Sequence, residues 1–408
     1  MSLFKMLDSM RGQKFNFLER VSSIVPAQAN LPAQDKIDVH GADSNYTLAS
    51  NFYANEEWEQ CYAYIKDAIK CNYKFAAPYV ILADLFLKGK KVYEAQLILK
   101  KAIEYTGNIS VHDKLAEIYR EQGMFDKVVT LWTEYIFASP RKAQGYFRLA
   151  NFYLEQRELP LSIQSFEKAL ELDPTNIPIF EKLAELYEFT EDFRSAIKIL
   201  HKYMEAPEAS VYFRTHINLS RIIKRIGNLY FRLREFDNAV PYYKKALDLI
   251  FNDFEVYMKL GDMCLITRNL DYAKTNYQIA FQLKDDDIEI MVKLGTLYFL
   301  KGEYEKSKGF YSNIIKFCST IMNIHSILKS IAEGKPDRQL MSDILDENTD
   351  LSVQDLREGA SMNFNGSMAS FSESEAKAIS EKIARAEEEK KKQEMEGGAG
   401  AVEAPDEP

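Results

Sequence analysis

The sequence predicts an all-α fold, built as a solenoid of about eight helix-turn-helix units, and two recurring patterns support this prediction. The first is a small residue that follows an aliphatic one and, in seven of eight copies, stands three positions before an aromatic residue. We call this small residue the marker; the markers are Ala49, Ala83, Ala116, Ala150, Ala184, Gly227, Gly261 and Gly295. Successive markers are 34, 33, 34, 34, 43, 34 and 34 residues apart. A period of this length is typical of stacked helical hairpins.

The second pattern lies twelve and sixteen residues after each marker. Position twelve is compact: Cys61, Ala95, Val128, Ser162, Ala196, Ala239, Ala273 and Ser307. Position sixteen is bulky: Ile65, Leu99, Trp132, Phe166, Leu200, Tyr243, Tyr277 and Tyr311. Small residues at the first two positions would let the two helices of a unit approach closely, and the bulky residue would fill the groove of the neighbouring unit.

Short turns separate the two predicted helices of each unit. The stretches 122–126 and 301–304 contain Gly123 and Gly302, which would stop a helix. Pro140 and Pro174 stand where the second helix of two units must end.

These residues resemble the tetratricopeptide repeat pattern over 42–321. The resemblance implies a right-handed superhelix, with the first helix of each unit lining a concave face. Members of this family usually bind peptides or whole protein partners on that face, and hairpins that cannot bury their apolar sides alone must stack into an extended groove.

Composition narrows the classes of function. The 408 residues are 46% hydrophobic and carry a formal net charge of −9, which disfavours general nucleic-acid binding. The four cysteines form no C-x-x-C pair, as expected of reduced thiols in a cytoplasmic protein. We expect neither a secretory signal nor membrane insertion, because no apolar run approaches the roughly 20 residues that span a bilayer.

The one irregular spacing marks an insert of nine residues near 207–219, between the fifth and sixth units. From 211 to 234 the chain has no acidic residue and six basic ones: Arg214, Arg221, Lys224, Arg225, Arg232 and Arg234. This segment is either a docking surface for an acidic segment or a lengthened, solvated helix.

A ladder of basic residues lies two positions before the marker in six consecutive units: Lys114, Arg148, Lys182, Arg225, Lys259 and Lys293. On a regular superhelix the ladder would follow the concave face and attract acidic ligands. However, Glu117, Glu185 and Asp262 stand three residues after three of these cations, where pairing within the helix would absorb much of the charge.

Some relatives bind carboxylate-terminated chaperone tails with a clamp of Lys, Asn, Asn, Lys and Arg across three units. Lys224 and Asn228 match its first pair, but the next unit has Lys259 where Asn is required. The following unit has Glu289 and Lys293 in place of Lys and Arg. Three of five positions differ, which disfavours this activity.

The ends of the chain have a different character. We expect a flexible segment at 1–41 and a terminal helix from 314 that ends within 322–336 and caps the exposed apolar face of the last unit. An acidic segment and linker follow at 337–372, then an exposed charged helix at 373–396, opened by Ser372 and Glu375, and a disordered tail at 397–408. The acidic tail could occupy the 211–234 segment until a partner displaces it, or could serve only solubility.

No pattern indicates catalysis. The five histidines are scattered, and no metal-ligand pair, phosphate-binding loop or nucleophile motif occurs, so we expect no cofactor. The sequence therefore predicts a non-enzymatic adaptor that binds a peptide or acidic segment through the ladder, Arg221, Lys224 and Asn228. The alternative is a structural component of a larger assembly, in which the groove is incidental; self-association is a third possibility.

Overall fold

A computed structural model of the chain describes residues 37–206, 215–317, 324–351, 354, 356, 364, 366–369 and 371–398. Within these residues every regular element is a helix and there is no strand. The eight first helices are α1 (Val39–Ala54), α3 (Ala76–Lys88), α5 (Ile109–Glu121), α7 (Ala143–Glu155), α9 (Ile177–Phe189), α11 (His216–Arg232), α13 (Phe254–Ile266) and α15 (Ile288–Leu300). The second helices are α2 (Trp58–Cys71), α4 (Val92–Thr106), α6 (Phe125–Ala138), α8 (Leu159–Leu172), α10 (Phe193–Glu205), α12 (Phe236–Leu249), α14 (Leu270–Leu283) and α16 (Tyr304–Phe317).

These helices form eight hairpins, numbered here as repeats one to eight. The chain divides into an N-terminal unit, Met1–Ile179, and a C-terminal unit, Phe180–Pro408. Repeats one to four belong to the N-terminal unit. The C-terminal unit holds repeats five to eight, followed by α17 (Ile324–Ala332), α18 (Arg338–Asn348), a short 3₁₀ turn (Gly366–Ala369) and α19 (Glu373–Gly398). The predicted all-helical solenoid of tetratricopeptide type is confirmed.

The recurring small and bulky positions form the cores of the repeats. Every marker is buried, and so is every residue at positions twelve and sixteen. Two of the compact residues also donate hydrogen bonds to the marker's carbonyl: Ser162 Oγ to Ala150 at 2.9 Å and Ser307 Oγ to Gly295 at 2.8 Å. In repeats four and eight, position twelve therefore lies against the marker of its own repeat.

Position sixteen was predicted to fill the groove of the neighbouring unit; in repeats six to eight its tyrosine lies against the marker of its own repeat. A Cβ atom added to the glycine marker of these repeats would meet the tyrosine of the same repeat, at 2.4 Å for Gly261 and Tyr277. Each tyrosine hydroxyl also bonds the polar residue after the marker: Asn228, Asp262 or Thr296. At this crossing of the two helices of one repeat, the tyrosine ring fits because the glycine marker has no side chain.

The turn inside every repeat has the same backbone geometry. The residue seven positions after each marker has a positive φ, between 56° and 75°. Glycine occupies this position only at Gly123 and Gly302, as predicted; the other six residues are Glu56, Lys90, Arg157, Glu191, Arg234 and Arg268. A left-handed residue ends the first helix and reverses the chain, so six repeats hold a side chain where glycine would be less strained.

The nine-residue insert partly extends one helix. Helix α11 has 17 residues, whereas the other first helices from α3 to α15 have 13. The four additional residues, 216–219, form one more turn at its N-terminus. The rest of the predicted insert, including Pro207, lies outside the described residues, as does most of the 1–41 segment.

The C-terminal segment folds back onto the last repeats. Helix α17 packs on α16 and buries Ile324, Ile327 and Ile331, as a capping helix should. Part of the predicted terminal helix, 318–323, lies outside the described residues. Helix α18 then contacts α15, and α19 contacts α14.

Helix α19 was predicted to be exposed, but the structure buries one side of its N-terminal half. Ile383 is only 4% exposed, and Ala376 and Ile379 are partly buried against the same core. The narrow apolar stripe on α19 is buried because α14 offers it a surface. Most of the predicted disordered tail lies outside the described residues.

We predict opposite effects of the same substitution at two exposed glycines of repeat eight. Gly302→Ala should lower the free energy of unfolding by about 1 kcal/mol, because φ is +75° there. Gly309→Ala should raise it by up to about 1 kcal/mol, because Gly309 lies within α16 with open space around its Cβ position. Urea unfolding followed by circular dichroism measures both, and equal effects would contradict the common turn geometry.

A double-mutant cycle tests the glycine–tyrosine crossing. Gly261→Ala should cost about 1–3 kcal/mol, because Tyr277 is fully buried, is bonded to Asp262 and has no room to move. In a Tyr277→Leu background, which restores the small–leucine pair of Ala184 and Leu200, the same change should be neutral or stabilising. Equal costs of Gly261→Ala in both backgrounds would exclude this contact as the cause.

Candidate functional site

The basic ladder lies where successive first helices meet. Lys114 on α5 contacts Asp84 on α3 at 2.7 Å, and Arg225 on α11 contacts Glu188 on α9 at 2.5 Å. Lys293 on α15 contacts Asp262 on α13 at 3.0 Å. These three ladder cations, and Arg148 with Asp113, thus each join one first helix to the preceding one.

In the N-terminal unit the ladder borders a groove of about 580 Å³. Lys114 Nζ lies 2.7 Å from Asp84 and 2.8 Å from Glu117 of its own helix, the pairing foreseen from their spacing. The guanidinium of Arg148 faces Asp113 through Nε at 2.7 Å and Nη2 at 2.8 Å.

The same groove has an aromatic lining. Trp132, Phe147 and Phe152 line it beside the ladder cations. Aromatic side chains and arginine are the residue types that contribute most to binding in protein interfaces. The groove can therefore offer both apolar contact and charged hydrogen bonds.

At the start of the C-terminal unit, the basic segment is matched by acidic side chains. Arg221 Nη2 lies 3.1 Å from Glu181, and Lys182 pairs with Glu185 within α9 at 3.2 Å. The guanidinium of Arg232 lies 4.2 Å from the centroid of the Phe193 ring. In three dimensions Arg221, Lys224 and Arg225 of this segment therefore meet carboxylates, while Arg232 meets an aromatic ring; Arg214 lies outside the described residues.

The two residues that match the chaperone-tail clamp have partners within the fold. Lys224 Nζ lies 2.9 Å from Asp253 and 2.7 Å from Glu255. Although burial alone would lower the pKa of Lys224, its hydrogen bonds to these carboxylates raise it. Asn228 accepts a hydrogen bond from the Tyr243 hydroxyl at 2.7 Å, so its side chain serves helix packing.

The last two ladder residues bind a carboxylate from outside the repeats. Asp350, which follows α18, contacts both Lys259 and Lys293, the latter at 2.7 Å. Lys293 is 1% exposed and also contacts Asp262 and Glu289, at 3.0 and 2.7 Å. We call the pair Lys259 and Lys293, with Asp262 between them, the C-terminal seat.

The C-terminal seat favours ionised groups. Burial alone would raise the pKa of Asp350, but Lys293 and Lys259 hold it well below its usual range. Burial alone would lower the pKa of Lys293, but Asp262, Asp350 and Glu289 raise it. A carboxylate placed between two cations of the ladder is thus held in its charged form.

The acidic residue that reaches the ladder is not the one that sequence reasoning proposed. That proposal placed the acidic tail on 211–234, whereas the described part of the tail packs on α14: Ser380 donates to Gln282 at 2.7 Å, and Lys382 Nζ lies 4.0 Å from the Phe251 ring. Asp350 was missed because its sequence neighbourhood resembles any acidic linker, and only chain reversal after α17 brings it to Lys259.

The described residues were also compared with the requirements of a metal site, a reactive thiol and a membrane span. No group of three or more His, Cys, Asp or Glu side chains is arranged to hold a metal there. Burial raises the pKa of the Cys61 thiol to about 11 and that of Cys264 to about 12, so both are unreactive at neutral pH. None of the described helices has the length and apolar character required to cross a membrane.

Comparison with known families agrees with the repeat geometry. Two tetratricopeptide repeat models match residues 143–176, which form repeat four, and residues 225–253, which cover most of repeat six. With eight copies of the same hairpin, the chain is a tetratricopeptide repeat protein. Repeats of this family support a protein-interaction scaffold with protein partners as its general role.

Several solved structures show a local likeness. YrrB, described as a tetratricopeptide repeat protein with an unusual peptide-binding site, is 22% identical and covers 48% of this chain and 97% of its own, with a TM-score of 0.37. A MamA structure is 20% identical and covers 43% of this chain and 91% of its own, with a TM-score of 0.32. The C-terminal part of a repeat protein from Cytophaga hutchinsonii is 15% identical and covers 69% of this chain and 98% of its own, with a TM-score of 0.38. Likeness at this level transfers no binding residue to the present chain.

We predict that two ladder lysines differ sharply in their contribution to stability. Lys293→Met should cost about 3–5 kcal/mol in the free energy of unfolding, because it removes a partner of Asp262, which is fully buried. Lys182→Met, at the equivalent position of repeat five, should change stability by less than about 1 kcal/mol, because its pair with Glu185 is exposed. Chemical denaturation of both variants measures the contrast; a small cost at Lys293 would exclude a structural role for the buried charges.

Proposed function

We propose that this protein is a non-catalytic scaffold that binds an acidic segment of a partner protein along its first helices, with ladder cations receiving the carboxylates. The observation that carries the proposal is Asp350 between Lys259 and Lys293. Asp350 belongs to no repeat, so its contact is that of a ligand segment lying on the first-helix surface.

Recognition on this surface depends on short-range geometry. The ladder cations of the described residues already face carboxylates such as Asp84, Asp113 and Glu188. Such pairs leave little long-range field to steer a ligand, and salt screens what remains. Affinity would come instead from charge-assisted hydrogen bonds at close range, together with aromatic contacts in the groove beside Trp132 and Phe147.

The C-terminal segment affects how this function can be tested. Ile344, Leu345 and Leu351 are almost fully buried in the core of the C-terminal unit. Deleting 337–408 would therefore expose apolar surface and could create non-specific binding. Point substitutions at the ladder are cleaner than truncation.

Selection from a random 12-residue peptide library displayed on phage tests the proposal. With the full chain as bait, we expect enrichment of peptides that contain Asp or Glu, and loss of their binding on Arg148→Gln. The matched control is Arg194→Gln, which removes an arginine with a 75% exposed side chain on a second helix. Enrichment without acidic residues, or none, would contradict the proposal; contacts through exposed second-helix aromatics such as Phe137, 88% exposed, would then favour a structural component of an assembly.

A further inference from the structure

The repeat register defines a second site equivalent to the C-terminal seat. The seat consists of a cation two positions before one marker, Lys259, an acid one position after it, Asp262, and a cation two positions before the next marker, Lys293. In repeats three and four the same three positions hold Lys114, Glu117 and Arg148. We call these three residues the N-terminal seat.

The two seats share an internal ion-pair pattern. In each, the first lysine pairs with the acid three residues later, Lys114 with Glu117 at 2.8 Å and Lys259 with Asp262 at 3.8 Å. With the neighbouring carboxylates included, Asp262 and Glu289 face the cations of the C-terminal seat, whereas Glu117, Asp84 and Asp113 face those of the N-terminal seat. Asp350 shows that the C-terminal seat accepts a carboxylate beyond its own.

The cations of the N-terminal seat retain N–H hydrogen-bond donors for a ligand. An ammonium group has three N–H donors, and Lys293 directs its contacts to Asp262, Glu289 and Asp350. Lys114 has two such contacts, with Asp84 and Glu117, which leaves one donor for a ligand. Arg148 has five N–H donors and donates one hydrogen bond to Asp113, through Nη2 at 2.8 Å, whereas its buried Nε makes no hydrogen bond to the described residues.

The N-terminal seat also differs from its counterpart in being open. Lys114, Glu117 and Arg148 all line the groove of about 580 Å³, which no residue between 37 and 179 fills. The Arg148 side chain is 42% exposed, whereas that of Lys293 is 1% exposed. The C-terminal seat is covered because the chain itself supplies Asp350.

We infer that Lys114 and Arg148 form an open carboxylate-binding site for an internal aspartate of a partner's acidic segment, in which an aliphatic residue follows the aspartate. This inference rests on the proposed function and specifies its site and ligand. The chemistry is that of Asp350 and Leu351, where the carboxylate meets the cations and the leucine is 2% exposed in the core. In the N-terminal groove, Trp132, Phe147 and Phe152 offer the apolar surface for the aliphatic residue.

A second copy of this chain does not fit as the ligand. Its own Asp350 contacts its own Lys259 and Lys293, and Ile344, Leu345 and Leu351 beside it are buried. Releasing this segment would expose several large apolar side chains to water. The partner is therefore a different protein with a segment of similar chemistry.

The test uses a fluorescein-labelled peptide with the sequence of residues 345–356 and an amidated C-terminus, so that only side-chain carboxylates are present. Fluorescence polarisation with the full chain should show saturable binding. The Asp350→Asn peptide should bind about tenfold more weakly or worse, because it loses a charge-assisted contact. This arm does not depend on the folding of any protein variant.

Two matched protein variants locate the binding. Arg148→Gln should lower the affinity for the peptide by about tenfold or more. Lys259→Gln, the matched change in the C-terminal seat, should alter this affinity by less than about twofold. Circular dichroism confirms that both variants are folded. Arg148→Lys, which keeps the charge, should recover part of the affinity.

Four results would overturn the inference. They are the absence of binding, equal binding of the Asp350→Asn peptide, loss of binding on Lys259→Gln alone, and binding only after removal of residues 1–36. The third would mean that the peptide displaces the chain's own Asp350, and the fourth that the chain's N-terminal segment occupies the groove. Enrichment of acidic peptides in the phage selection tests the scaffold function whichever ladder cation binds them, so failure of this site and failure of the scaffold function remain distinguishable.

Discussion

The close approach of two helices within each repeat is the contact on which the other features of this protein depend. In repeats six to eight a glycine marker lies against a tyrosine sixteen positions later, and both positions are buried in every repeat. This crossing sets the spacing of the hairpin, and the left-handed residue seven positions after the marker closes it. The ladder stands two positions before the marker on the first helix of the hairpin, and Lys114, Arg148, Arg225 and Lys293 meet the preceding first helix from there.

The charges illustrate how a stacked fold changes what a sequence pattern means. A run from 211 to 234 without acidic residues looks like a docking patch. In the C-terminal unit its arginines and lysines meet Glu181, Glu188 and Asp253 from neighbouring first helices. Ion pairs of this kind join consecutive repeats, and they give the first-helix surface alternating charges rather than one sign.

The C-terminal segment combines two roles that the sequence presented separately. Helix α17 covers the apolar end of repeat eight, which a stack of repeats requires. The chain then returns across α15 and places Asp350 on two ladder lysines, with Leu351 and Leu356 completing the core. Its apolar residues hold the segment in place, and this is why a single exposed carboxylate can occupy a site made of buried charges.

The sequence by itself determined the fold class, the number of repeats and the two helices of each, because these follow from local periodicity: Ala83, Leu99 and their equivalents recur at spacings that only a helical hairpin satisfies. It also located the ladder, and Glu117 and Glu185 were foreseen as partners because residues three apart on a helix are neighbours. Tertiary structure alone decided the partners between helices, such as Asp84 for Lys114 and Asp350 for Lys293. These pairs join positions 30 to 57 residues apart, whose meeting depends on how repeats stack and where the chain turns back, and no local pattern encodes that distance.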